Sequence, residues 1–170
     1  MIRFDQGQVI KGDSQNETYN GSDGWSELLN FNFGIENNAN IGSISGGGAA
    51  GRASFKDIRL SKSTDSISSH LFAKCAMGQH FTRVDIVILR SGASAGGKRV
   101  KIMELDLRLV MVQEVQLSGS DGDDTVTEAV ILRHGAQNIK FYTVNPNTGA
   151  EVLSGEATWS IVANSESLQI

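Results

Sequence analysis

Val100-Lys101-Ile102-Met103-Glu104-Leu105-Asp106-Leu107-Arg108-Leu109-Val110-Met111-Val112-Gln113-Glu114-Val115-Gln116-Leu117 is the stretch that decides the fold. Apolar and polar residues alternate along it with a period of two, the pattern of a β-strand with one buried and one wet face. Met103, Leu105, Leu107, Leu109 and Met111 fall on one side, and Glu104, Asp106 and Arg108 on the other. The run is about three times the usual strand length. A strand this long is expected to curl around a barrel or to extend to a neighbouring subunit.

The same period recurs on both sides of it. Ile2 and Phe4 open a first strand ending near Ile10, and residues 28–35 place Phe31, Phe33 and Ile35 on one face. Residues 53–61 alternate with a phase slip near Asp57, which predicts a bulge. Val84, Ile86 and Ile88 share a face within 83–90, and 125–134, 139–144 and 157–163 read as three more strands. Residues 12–24, 91–97 and the acidic stretch 118–124 read as loops or turns, as does Asn145-Pro146-Asn147-Thr148-Gly149. Residues 37–51 are rich in Gly, Asn, Ser and Ala and have no apolar period. A loop of that length in a compact domain is usually functional or mobile.

One segment departs from the β pattern. Over residues 66–77, Ile67, Leu71, Cys75 and Ala76 recur at helical spacing with Phe72 beside them. Thr64 or Asp65 supplies an N-cap and Gly78 a left-handed stop. The expected architecture is mainly β: about eight strands in a barrel or sandwich, one α-helix on its flank, and residues 1–170 as one domain.

Bulk properties narrow the function. The formal net charge is −4, with 39 % hydrophobic and 20 % charged residues, values of a folded domain without a basic patch. That gives no electrostatic footing for nucleic acid or for an anionic membrane surface. No run approaches the roughly 20 apolar residues that span a bilayer. Cys75 is the sole cysteine, so an internal disulfide is impossible and folding in a reducing compartment is expected. Met1-Ile2-Arg3-Phe4-Asp5-Gln6-Gly7 lacks the apolar core of a signal peptide, so export, if any, has to read the folded object. The sequons at Asn16 and Asn20 then read as plain loop chemistry.

Several motifs imitate chemistry. Gly46-Gly47-Gly48-Ala49-Ala50-Gly51 matches a dinucleotide-binding pattern, but a strand follows it where a helix N-terminus is needed. Gly92-Ala93-Ser94-Ala95-Gly96 matches a nucleophile elbow, yet two strands flank it as in a hairpin. Asp121-Gly122-Asp123-Asp124 lacks the spaced ligands of a calcium loop, and His70, His80 and His134 are not at zinc spacing from Cys75. Cys75 reads as a small buried hydrophobe, and Trp25 and Trp159 as packing residues. No catalytic residue, cofactor or metal site is expected.

Four segments in order carry a resemblance. They are Ile10-Lys11-Gly12-Asp13-Ser14; Trp25-Ser26-Glu27-Leu28-Leu29-Asn30-Phe31-Asn32-Phe33-Gly34; Gly51-Arg52-Ala53-Ser54-Phe55-Lys56-Asp57-Ile58-Arg59-Leu60-Ser61-Lys62; and Cys75-Ala76-Met77-Gly78-Gln79-His80. This series resembles the Hcp family, the secreted tube protein of bacterial type VI secretion systems, and the resemblance covers essentially the whole chain. It implies a two-sheet β-barrel with one flanking helix, six copies closing into a ring, and rings stacking into a tube. The tube would be driven by a contractile sheath, be tipped by a spike protein and carry small effector proteins in its lumen. Synthesis would be cytoplasmic, followed by secretion without a signal peptide. The resemblance makes 37–51 a loop reaching a neighbouring ring, with Asn38, Asn40, Ile44, Gly46, Gly47, Gly48 and Arg52 as its contact residues. It makes Glu104, Asp106 and Arg108 part of a subunit-interface or lumen strand. A phage-type tail tube would look alike, whereas a monomeric ligand-binding barrel would show an apolar pocket and no self-association, and a Ser94 hydrolase would act on an ester substrate and lose that activity on Ser94→Ala.

Overall fold

The computed structural model describes residues 1–37, 53–91, 99–122 and 124–170. Along them run β1 Ile2–Asp5, β2 Trp25–Ser26, β3 Asn30–Asn32, β4 Ile35–Asn37, β5 Ala53–Phe55, β6 Ile58–Ser63, α1 Ser68–Met77, β7 His80–Arg90, β8 Val100–Ser118, β9 Thr127–Arg133, β10 Ala136–Val144 and β11 Glu151–Ser160.

The long alternating run is the organising element. β8 is a single strand of 19 residues, antiparallel to β7 along one edge. Its other edge is shared: β10 pairs with residues 103–108 and β9 with 111–118. At the changeover Leu109 takes a left-handed φ of 50°, and Gly135, facing it, donates its N–H to Arg108 O at 2.9 Å. A Cβ on Gly135 would lie 3.1 Å from the Leu109 side chain, so this crossing is tight. The kink shifts the phase of the strand. Leu105 and Leu107 are buried, then Val110 and Val112, while Met111 turns outward at 45 % exposure. The expected single apolar face through Leu109 and Met111 is therefore broken, because one residue of left-handed backbone reverses which side the next residues point to.

From β8 the sheet continues both ways, in the order β2-β1-β7-β8-β9-β6-β3, with β10 and β11 as a wing beside the first half of β8. It curls around a core that includes Ile2, Phe4, Leu71, Phe81, Leu105 and Leu132, all fully buried. The Phe4 and Phe81 rings meet at 5.0 Å. Each such side chain contributes about 1.5–3 kcal/mol on burial.

The expected closed barrel is not formed: the sheet is open between β2 and β3. These two strands have two and three residues, and Leu29 between them donates its N–H to Ser61 O at 2.9 Å. Among the described residues no ladder joins them. The expected strand 28–35 is likewise divided. β3 pairs with β6, whereas β4 pairs with β5 in a separate two-stranded sheet, leaving Ile35 56 % exposed. The slip near Asp57 marks the return of the chain from that small sheet to the large one, not a bulge. Such divisions raise the count to eleven short and long strands among the described residues. The first strand also ends at Asp5, well before Ile10.

The helix starts two residues later than expected. Asp65 acts ahead of the cap: its carboxylate accepts the Ile67 N–H at 3.1 Å, while Ser68 Oγ accepts the Asp65 N–H at 2.9 Å. Gly78 stops the helix at φ 63°. Ile67 and Leu71 enter the core and half-buried Cys75 packs against it, but Phe72 and Ala76 face water. Beneath the first turn lies a fully buried ion pair, with Lys62 Nζ 2.7 Å from Glu128 Oε1 and 2.6 Å from Asp65 Oδ1.

Candidate functional site

Glu104, Asp106 and Arg108 share one face of β8, and the sheet register continues that face sideways. Asp85 of β7 lies opposite Asp106, and Arg83 opposite Arg108. On the far side of β7, Arg3 of β1 lies opposite Asp85. On the other side of β8, Asn138 and Lys140 of β10 lie opposite Asp106 and Glu104, and Glu156 of β11 lies opposite Lys140. The result is a charged surface crossing five strands, backed by the hydrophobic core.

Between β7 and β8 like charges sit directly opposite one another, Asp85 against Asp106 and Arg83 against Arg108, which is unfavourable for each pair. Diagonal contacts resolve it. Arg83 donates to Asp85 Oδ1 at 2.8 Å and reaches Asp106 Oδ2 at 2.9 Å. Arg3 holds Asp85 Oδ2 at 2.6 Å, and Arg108 holds Asp106 at 2.9 Å. Two carboxylates are thus clamped by three guanidiniums, whose planar forks suit such bridging. Asp85, only 3 % exposed, is the centre of the cluster.

The ends of the face are built differently. Lys101 Nζ reaches Glu104 Oε2 at 2.8 Å and lies 4.2 Å from the centre of the Tyr142 ring, while Tyr142 Oη donates to the same carboxylate at 3.0 Å. Asn138 Nδ2 donates to Glu156 Oε1 at 2.7 Å. At the opposite end the Arg3 guanidinium stacks 5.1 Å from the ring of buried Trp25, which Tyr19 meets edge-on.

Ionisation follows from these surroundings. Burial raises the Asp106 pKa, the Asp85 charge adds to it, and Arg83 and Arg108 offset only part. For Glu104, burial pulls upward but the hydrogen bonds and charge of Lys101, with Tyr142, outweigh it, so its pKa is lowered. Burial likewise opposes the Lys101 and Arg83 charges, and their carboxylate neighbours leave both pKa values raised. Every cation on the face is paired to a carboxylate, an arrangement that holds a wall of side chains in place and suits binding or lining rather than proton transfer.

The structure therefore places Glu104, Asp106 and Arg108 on one face, with Asp106 and Arg108 in the arginine cluster and Glu104 in a separate contact with Lys101 and Tyr142. Asn38, Asn40, Ile44, Gly46, Gly47, Gly48 and Arg52 lie outside the described residues, as do both imitative glycine motifs. The sequence reading missed Arg3, Arg83, Asp85, Lys101, Asn138, Tyr142 and Glu156. A signal existed for two of them: Arg83 and Asp85 alternate with Val84 and Ile86 as Asp106 and Arg108 do with Leu105 and Leu107. His134 is separate. It is buried with Nε2 2.7 Å from Gln137 Oε1 and with Phe33 and Phe55 nearby; burial lowers its pKa.

Comparison with known proteins fits this geometry. The family model described as "Type VI secretion system effector, Hcp" matches residues 2–141. The chain belongs to the Hcp family. Protein hcp1 of Pseudomonas aeruginosa strain PAO1 is 26 % identical over 90 residues, which is 53 % of this chain and 54 % of that protein. The match thus spans about half the length of that relative. Among solved structures, one described as a type six secretion system protein superposes with a TM-score of 0.83 at 22 % identity, covering 96 % of each chain. Hcp1 from Salmonella typhimurium superposes with a TM-score of 0.68 at 21 % identity, covering 97 % of this chain and 96 % of that one. These likenesses establish an Hcp fold, mainly β with one helix. Hcp proteins are structural components of the secretion system, and no helix among the described residues is long and apolar enough to cross a membrane.

Proposed function

We propose that this chain is the tube subunit of a type VI secretion system, with 1–170 acting as one unit. Six copies close into a ring, rings stack into a tube that a contractile sheath propels behind a spike protein, and small effectors travel in the lumen. The observation that carries the reading is the self-paired charged face across β1, β7, β8, β10 and β11. Lining a wide aqueous channel suits charged side chains that are already paired with one another, so that they neither collapse together nor hold passing cargo tightly. The opposite face is filled by Phe4, Phe81 and Leu71, which favours a structural wall over a hollow ligand-binding barrel. β11 has a partner only in β10 among the described residues, and such an edge suits pairing with another chain.

Light scattering on a size-exclusion peak tests this. Six copies of 18.2 kDa give a mass of about 109 kDa, with ring-shaped particles in negative stain. A monomer of 18.2 kDa at high concentration overturns it. The loop contacts proposed for Asn38, Asn40, Ile44, Gly46, Gly47, Gly48 and Arg52 have their own test. Gly48→Pro leaves ring mass unchanged and weakens ring stacking; rings that stack and are secreted as before remove that role from the loop.

A further inference from the structure

A second charged feature lies away from the sheet face just described. Lys56, Asp57, Arg59 and Arg133, with Asn32 and Phe55, surround an open cleft of about 320 Å³ where β6 begins and β9 ends. The cleft holds three cations and one carboxylate. Arg133 Nε pairs with Asp57 Oδ1 at 2.9 Å, and Lys56 is drawn to Glu36 at 3.1 Å on the neighbouring hairpin. Arg59 is exposed and has no carboxylate partner among the described residues; Glu114 stands in its row two strands away, about 10 Å off. Nor can the rest of the chain neutralise it locally, because residues 38–52 and 92–98 contain no Asp or Glu.

The complementary charge lies at the other end of the same strands. β6 and β9 pair from Ile58 opposite Leu132 to Ser63 opposite Thr127, so the cleft and the β8–β9 turn are separated by the length of β9, about 20 Å. That turn carries Asp121 and Asp124, both exposed and without a cation partner among the described residues, around Gly122 at φ 92°. One end of the strand pair thus shows excess positive charge and the other excess negative charge. Two such ends on one molecule cannot meet each other, but they can meet on two copies. A contact between different patches of identical chains is heterologous and repeats from copy to copy.

We propose that the β8–β9 acidic turn of one copy docks into the Lys56–Arg59–Arg133 cleft of a second copy, forming a salt-sensitive head-to-tail contact. This rests on the tube reading, and it assigns that reading a charged contact distinct from the residue 37–51 loop. Such a contact is partly exposed, so it sets the ionic-strength dependence and the direction of association more than its tightness.

The test uses the full chain and follows both ring mass and higher association by sedimentation velocity over a range of sodium chloride. Wild-type rings associate at low salt and separate as salt rises. Arg59→Glu, or Asp121→Lys with Asp124→Lys, raises the concentration for half-association by about tenfold at low salt. Mixing the two charge-reversed proteins restores association, because each now offers the other a complementary end. The milder Asp121→Asn with Asp124→Asn gives the same direction of loss should a reversal disturb folding. Single reversals that associate like wild type, a mixture that fails to recover, or rings that never associate at low salt each overturn the proposal. If the 18.2 kDa chain stays monomeric in every case, the tube reading itself has failed, so the two failures are told apart by ring mass.

Discussion

At the scale of single residues, close backbone approach and local charge set most of what is special in this chain. Gly12 donates its N–H to Gly21 O at 2.9 Å where the segment leaving β1 crosses the loop before β2. A Cβ on Gly12 would fall 2.3 Å from Trp25 O, and one on Gly21 2.2 Å from Gly12 O. Both obstacles are backbone atoms that cannot rotate aside, so Gly12→Ala or Gly21→Ala lowers stability by about 1–3 kcal/mol, read from denaturant midpoints. A glycine at Gly12 was visible in the sequence; the contact that demands it was not, because the crossing joins segments a dozen residues apart. Charge makes a second prediction. The lowered Glu104 pKa means that its contribution to stability is fully present above its unfolded value of 4.5 and is lost as pH falls through the folded value. Asp106 runs the other way: its raised pKa lets the folded state take a proton first, so stability gains as pH falls toward 3.8. The two slopes offset each other in the wild type. Glu104→Gln removes one, so its melting temperature at pH 7 falls and its loss between pH 5 and pH 3 shrinks, following the carboxylate range. An unchanged acid limb would show that Glu104 is not the group responsible.

At the scale of elements, the alternating pattern made the strands legible, and tertiary pairing decided where they stop. β8 was readable because leucines and charges alternate for most of its length; its kink was not, since Leu109 is an ordinary strand residue and only Gly135 on another strand makes room for it. The same holds for residues 28–35, where one continuous pattern serves two sheets and the break at Gly34 is fixed by its carbonyl accepting the Lys56 N–H at 2.9 Å. The helix was readable from its spacing, but the lysine beneath it was not: alternation with Ile58 and Leu60 points Lys62 inward, whereas a lysine side chain is normally exposed. Lys62 and Glu128 join β6, β9 and the start of α1 in a fully buried pair, with Ser63 O accepting a further bond from Lys62 at 2.8 Å. Lys62→Met leaves a buried carboxylate uncompensated and costs about 3–5 kcal/mol. Lys62→Met combined with Glu128→Leu removes both charges and recovers most of that loss, which urea unfolding of the two variants measures. A double variant as unstable as the single one would mean that the pair does more than neutralise itself, with Asp65 as the next residue to change.

At the scale of the whole molecule, the order of the four family segments was readable, while the open sheet was not. Closure depends on whether β2 and β3 find each other, and two strands of two and three residues carry too little pattern to say. The openness is consistent with a chain completed by its neighbours, and the charged face gives a way to ask which side looks into the ring. Glu156 is exposed on β11 at the margin of that face, whereas Ala73 is exposed on the helix. In a Cys75→Ser background, Glu156→Cys and Ala73→Cys each place one thiol per subunit. A small maleimide reaches every thiol in both proteins. A long polyethylene glycol maleimide labels every copy of Ala73→Cys, because each helix faces open solvent. On Glu156→Cys it labels the ring only in part, because chains attached through a shared lumen exclude one another after the first few. Complete labelling of Glu156→Cys by the long reagent, in particles whose mass still corresponds to a ring, would place the charged face outside and move the lumen to another surface of the sheet.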